Sequence, residues 1–316
     1  MNPSDPETPH GLPYAAPGES RGPATGRPRR KAPPPPAPGA RERVVVEGIP
    51  IAFRRMGRGP AVVLIHGAGG NLNDMTFRLA PALLARHTVF AFDRPGHGES
   101  GWPSQGGDSL SVQARLLRTA LERAGISRAY LIGHSYGGAV ALAWALDAPR
   151  SVAGLLVIAA PSHGWRGSSG MANSLMDLPV FGSMAARCLS HLVSARLARR
   201  VAGHAFAPQE VPASYVQHLD LPLTLRPESL RRNARQLATL RQWLEPMVRR
   251  YPELAPPLEI VHGDADATVS FGAHAQRLAA AVPGARLTRL AGVGHMPHQV
   301  ALPAVLGAFT RLRARA

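Results

Sequence analysis

The sequence predicts an α/β protein: a mostly parallel, twisted sheet with helices on both faces and a helical segment inserted late in the chain. Three observations carry this. Short continuous apolar runs recur at 61–65, 88–92, 128–132, 152–159 and 258–261, the pattern of strands covered on both faces. Helix-periodic segments alternate with them, and alternating strand and helix implies parallel pairing. Glycine-rich loops follow several runs, at the edge where open α/β sheets place their ligands.

Bulk properties narrow the class of protein. The chain has 316 residues, 45% of them hydrophobic, and a mean hydropathy of -0.07, enough for one large domain with a substantial core. Its formal charge is +16, yet Lys31 is the only lysine, and the arginines are scattered among Ala, Gly and Pro. No basic stripe interleaved with aromatics appears, so nucleic acid is not an expected partner. Cys188 stands alone, which rules out an intrachain disulfide, and a buried small hydrophobe is its expected role. No apolar stretch reaches the length of a membrane span, and the polar N-terminus lacks a signal-peptide core, so a cytoplasmic location is expected by default.

Taken in order, residues 1–41 form a Pro- and Arg-rich tail with Pro33-Pro34-Pro35-Pro36 and the basic cluster 27–31. It has too few large apolar residues to offset its ordering entropy and is expected to be a disordered extension. The core is expected over 42–160 and 252–316. It opens with two antiparallel strands, at 44–46 and 51–53, turning at Gly48. The run at 61–65 then leads into His66-Gly67-Ala68-Gly69-Gly70. Asn71 or Asn73 caps a helix through Phe77, Leu79, Leu83 and Leu84. The strand at 88–92 delivers Asp93-Arg94-Pro95-Gly96-His97-Gly98-Glu99-Ser100, and a helix follows over about 109–124.

The strand at 128–132 and an Ala/Leu-rich helix then flank Gly133-His134-Ser135-Tyr136-Gly137. A Gly-x-Ser-x-Gly between strand and helix is a nucleophile elbow, a turn so sharp that only tiny neighbours keep the serine accessible. After the strand at 152–159 the alternation stops. Residues 161–251 read as short helical pieces divided by prolines, a helical cap over the site. Regularity returns with the strand at 258–261, a helix over 271–282, a strand at 285–290 and a closing helix through Val300, Leu306 and Phe309.

A serine hydroxyl needs a base to take its proton, and the base needs a carboxylate to hold its tautomer. Ser135, then Asp264 or Asp266, then His295 each follow a predicted strand, so all can meet at one sheet edge. With His66-Gly67-Ala68-Gly69-Gly70, the segment from Asp93 to Ser100, Gly133-His134-Ser135-Tyr136-Gly137-Gly138, Gly263-Asp264-Ala265-Asp266 and Gly294-His295 in this order, residues 43–314 resemble the α/β-hydrolase superfamily. The resemblance implies Ser135 as nucleophile, His295 as base and then acid, and Asp266, last in Gly-x-x-Asp, as the triad acid. Asp264 becomes a turn former. The same resemblance implies an oxyanion hole from the backbone N–H groups of Ala68 and Tyr136.

The activity implied is cofactor-free hydrolysis of a carboxylic ester or related acyl bond in a small, apolar substrate. Acyl transfer, carbon–carbon bond hydrolysis, haloperoxidase-type activity and a non-catalytic accessory role are the alternatives. Serine at the elbow argues against haloalkane dehalogenases and epoxide hydrolases, which carry Asp there. Met296 stands where ring-cleavage hydrolases usually carry Trp. His66, His97, His134 and His262 are expected to be polar packing residues. His298 lies three places after His295, and no zinc-ligand spacing is present, so no metal is expected. Trp165, Met171, Met176, Phe181, Met184 and Trp243 are candidates to line an apolar pocket, and Arg166 or Arg187 to meet a substrate carboxylate.

Overall fold

The computed structural model describes residues 39–164 and 195–316, the last stretch without the side chains of 195–198. The basic cluster of the tail, Cys188, five of the six pocket candidates (all but Trp243) and both candidate arginines lie outside these residues.

Eight strands form one sheet: β1 (Arg41–Val46), β2 (Ile49–Gly57), β3 (Ala61–Ile65), β4 (Thr88–Phe92), β5 (Ala129–His134), β6 (Val152–Ile158), β7 (Leu258–Gly263) and β8 (Arg286–Leu290). They lie in the order β1-β2-β4-β3-β5-β6-β7-β8. β2 runs antiparallel to both β1 and β4, and every other pair is parallel. Glu47 and Gly48, with φ of 52° and 79°, make the two-residue turn between β1 and β2. Positive φ at both positions suits the right-handed twist of a hairpin.

The central strands bury alternate residues on opposite faces. Val63, Ile65, Leu131 and Val157 pack with α3 (Leu110–Arg123) and α4 (Tyr136–Asp147). Val62, Leu64, Ile132 and Leu156 pack with Leu72, Leu79 and Leu83, and with Val305 and Leu312 near the C-terminus. The parallel ladder therefore points the carboxyl ends of β3, β5, β6, β7 and β8 to one edge.

Two expected helices are broken, for one reason. The segment 72–83 is split into α1 (Leu72–Phe77) and α2 (Leu79–Leu83). Pro81 has no N–H for the carbonyl of Phe77, four residues earlier, and its ring crowds that carbonyl. The closing segment is likewise α10 (Pro297–Val300) and α11 (Leu302–Arg313), with Pro303 unable to pair the carbonyl of Gln299. Over 271–282 a π turn, Gly272–Gln276, precedes α9 (Arg277–Ala281).

Between β6 and β7 the described regular elements are helices: α5 (Ala195–Phe206), α6 (Tyr215–His218), α7 (Leu221–Thr224) and α8 (Pro227–Val248), with a 3-10 turn at Tyr251–Glu253. The expectation of short pieces fails for α8, which runs 22 residues. Pro227 begins that helix, where a missing N–H costs nothing. Among the described residues no helix is long and apolar enough to cross a membrane.

Candidate active site

Ser135 sits between β5 and α4 with φ 50° and ψ -124°, backbone angles that a side chain-bearing residue adopts only under constraint. The constraint is close approach. A Cβ on Gly137 would lie 2.3 Å from the Ile65 carbonyl oxygen, and one on Gly133 2.4 Å from the Gly137 oxygen. Only hydrogen at those positions lets α4 start so near β3. The Ser135 amide donates to the Ile158 carbonyl at 2.8 Å, tying the turn to β6 as well.

The side chain of Ser135 meets the other two expected residues. His295 Nε2 lies 2.9 Å from Ser135 Oγ, and His295 Nδ1 lies 2.6 Å from Asp266 Oδ2. Asp266 follows β7, and His295 sits in the loop after β8. The Asp266 carboxylate is well supplied with donors: Oδ1 accepts from the amides of Thr268 and Val269 at 2.8 and 2.9 Å, and His262 Nε2 lies 3.1 Å from Oδ2. Burial pushes its pKa up, but the hydrogen bonds from His262 and His295 outweigh that and hold the carboxyl well below its usual range. Asp266 is therefore an anion at neutral pH. Asp264 points elsewhere, accepting from Arg289 Nε at 2.8 Å and the Gly292 amide at 2.7 Å, as a turn former would.

The Tyr136 amide opens α4 and so has no intrahelical acceptor. Ala68 and Tyr136 line the same cavity as Ser135 and His295. What fixes the Ala68 loop is Arg94, a fully buried residue. Its guanidinium donates to the carbonyls of His66 and Gly67 at 3.0 and 3.1 Å, and to Gln113 and Gln236 at 3.0 and 2.7 Å. It also stacks on the Tyr136 ring, 4.4 Å from the centroid. Burial lowers its pKa to about 10, so it stays charged at neutral pH. From α8, Asn233 accepts from the Gly69 amide at 2.7 Å. The roles of Arg94, Asn233 and Gln236 were not evident in the sequence. Arg94 stands inside a recognised motif, but nothing local marks the two helix residues.

The cavity above Ser135 encloses about 1210 Å³. Phe206, Leu219, Leu230, Leu237, Leu240 and Met296 give it an apolar wall, with His97 and His134 also on it. Trp243 is not part of that wall. Its indole donates to Asp108 Oδ2 at 3.3 Å, and its ring packs on the main core.

The buried histidines bear on stability. Burial and the neighbouring Arg94 charge push His66 from its ordinary 6.5 down to about 3. Burial likewise takes His163 and His274 to about 4. These groups stay neutral in the fold, whereas the unfolded chain protonates them below about 6.5. Their contribution is complete above that value and is lost as pH falls towards 4. The depressed Asp266 adds a further loss only below about 3.9. Urea unfolding is thus expected to show stability level between about pH 7.5 and about 6.5 and falling from there to about pH 4.5; a profile flat over the whole range contradicts this.

A profile of the alpha/beta hydrolase fold family matches residues 60–301, and the chain belongs to that family. An uncharacterized protein of Mycobacterium tuberculosis is 33% identical over 266 residues, covering 80% of this chain and 74% of its own. The magnesium-chelatase 30 kDa subunit of Rhodobacter capsulatus is 31% identical over 263 residues, 79% of this chain and 85% of that one. Among solved structures, an esterase from Rhodococcus sp. ECU1013 shares the fold, with a TM-score of 0.67 at 23% identity over 88% of this chain and 100% of that one.

Proposed function

We propose that the protein is a serine hydrolase that cleaves a carboxylic ester or related acyl bond through an acyl-enzyme. The observation that carries this is the relay from Ser135 Oγ to His295 Nε2 at 2.9 Å and from His295 Nδ1 to Asp266 Oδ2 at 2.6 Å, on the floor of an apolar cavity. His295 takes the serine proton as Oγ attacks the substrate carbonyl, and Asp266 supports the imidazolium. The amides of Ala68 and Tyr136 receive the developing oxyanion. His295 then protonates the leaving alcohol, which departs, and water activated by the same ring frees the acid. None of these steps calls on a cofactor. The helices between β6 and β7 act as a cap that selects the acyl group, and their apolar lining favours an apolar one.

A fluorophosphonate probe tests the reading. Stoichiometric labelling of Ser135, located by peptide mass, is expected, together with turnover of p-nitrophenyl esters that yields free acid. Product moved instead to an added alcohol or amine identifies an acyltransferase. The relative named as a chelatase subunit supports a second reading, an accessory protein. Folded protein whose Ser135 does not react favours that one.

A further inference from the structure

The elements that carry Ala68, Ser135 and His295 also bring together three buried metal-ligating side chains. Asp74 lies in α1, just after the glycine loop; His134 ends β5, next to Ser135; His298 lies in α10, three residues beyond His295. All three are buried, and one ligating atom from each lies within 4.8 Å of the others. None has a part in the hydrolytic steps above.

Hydrogen bonding around them leaves a gap. His134 Nε2 is 2.9 Å from the carbonyl oxygen of His295, which can only accept, so Nε2 carries the hydrogen and Nδ1 is a bare lone pair. That Nδ1 has no hydrogen-bond partner and faces Asp74 Oδ2 at 3.8 Å. On the carboxylate, Oδ1 accepts from Tyr215 at 2.8 Å and Gln299 at 3.1 Å, while Oδ2 has only the shared His298 Nε2 at 3.3 Å. Two buried acceptors therefore face each other with no hydrogen between them, which is costly in a medium of low dielectric. A cation between them removes that cost.

We propose that Asp74, His134 and His298 form a binding site for a zinc-class divalent cation. The ligands are His134 Nδ1, His298 Nε2 and the Asp74 carboxylate. Bonds of about 2.0–2.2 Å in a tetrahedral site set neighbouring ligand atoms roughly 3.3–3.5 Å apart. The observed separations of 3.2 Å (His298 to Asp74) and 3.8 Å (His134 to Asp74) lie within a few tenths of an ångström of that, and the two imidazole nitrogens lie within 4.8 Å of each other, so the rings must close on the ion. Two imidazoles with one carboxylate suit zinc, whereas magnesium and calcium prefer oxygen alone.

The supporting contacts are of the right kind. A ligating histidine usually donates its other N–H to a carbonyl, as His134 does to His295, and a ligating carboxylate is usually hydrogen-bonded, as Asp74 is to Tyr215 and Gln299. For Nε2 of His298 to ligate, its hydrogen moves to Nδ1, which is buried with no acceptor among the described residues, a cost that the bond to the metal must outweigh. Asp74 and His134 both belong to the cavity wall, which gives an ion a way in.

Titration calorimetry of the chelator-stripped full chain with zinc chloride tests the site. One saturable equivalent is expected, weakened about 100-fold or more by His298→Gln and by Asp74→Asn. Ser135→Ala is expected to bind zinc as the wild type does, so the site stands or falls apart from the hydrolase reading. Should the variants fail to fold, X-ray absorption at the zinc edge of Asp266→Asn decides, since that change removes the other carboxylate flanked by two imidazoles: two nitrogens and a carboxylate support the site, and any other donor set overturns it. Absence of saturable binding, or equal binding by His298→Gln, also overturns it.

Discussion

Ser135→Ala is expected to lower kcat for a p-nitrophenyl ester by about 10⁶-fold, Asp266→Asn by about 10⁴-fold, and Asp264→Asn by less than about twofold. On the proposed mechanism alanine removes the atom that attacks, leaving only the binding pocket and the oxyanion donors. Asparagine at 266 keeps the size of the side chain but removes its charge. Of its four donors, the Thr268 and Val269 amides and the His262 and His295 rings, all now meet a neutral amide. The amide NH₂ facing His295 Nδ1 then favours the tautomer with its hydrogen on Nε2, and that tautomer cannot take the serine proton. Asp264 differs because its carboxylate bonds Arg289 and the Gly292 amide. Its loss frees a surface turn and leaves the relay intact. If Asp264→Asn were the slower variant, the assignment of the acid would fall.

The two carboxylates also show where the sequence was legible. Ser135, Asp266 and His295 each lie a few residues beyond a strand's carboxyl end, so a local pattern and a parallel sheet suffice to bring them together. Asn233 and Gln236 bear no such mark. They are three apart on one face of α8 and gain their roles from docking against the Gly69 amide and Arg94, 164 and 142 residues away. Asp74 and His298, 224 residues apart, are partners only because α1 and α10 meet beside the site. Apolar periodicity alone predicts unbroken helices around residue 80 and in the closing segment; Pro81 and Pro303 overrule it by withdrawing one N–H each. Trp243 has the size and apolarity of a pocket residue, yet its indole N–H sends it to Asp108. Size and hydropathy do not encode the direction in which a helix presents a side chain.

Gly137→Ala is expected to destabilise the fold by about 3 kcal/mol or more, whereas Gly203→Ala, the same change in α5, is expected to be neutral or stabilising by up to about 1 kcal/mol. At position 137 the new methyl would stand 2.3 Å from the Ile65 carbonyl oxygen and 2.5 Å from that of His66. Neither atom can give way easily. Ile65 ends β3, which is paired on both sides by β4 and β5. The His66 carbonyl is held by Arg94 Nε at 3.0 Å. The alternative is for α4 to move, but residues 136–146 of that helix are all buried. Any such shift would also move Ser135 and the Tyr136 amide, so the proposed turnover of a p-nitrophenyl ester should fall further than the folded fraction does. At Gly203 an added Cβ meets nothing within 4 Å, and alanine is simply the better helix former. At roughly 2–4 °C per kcal/mol, thermal melts should separate the two variants by about 6 °C or more. A Gly137→Ala protein that melts with the wild type would mean that the close approach of α4 to β3 is not what holds the serine in its turn.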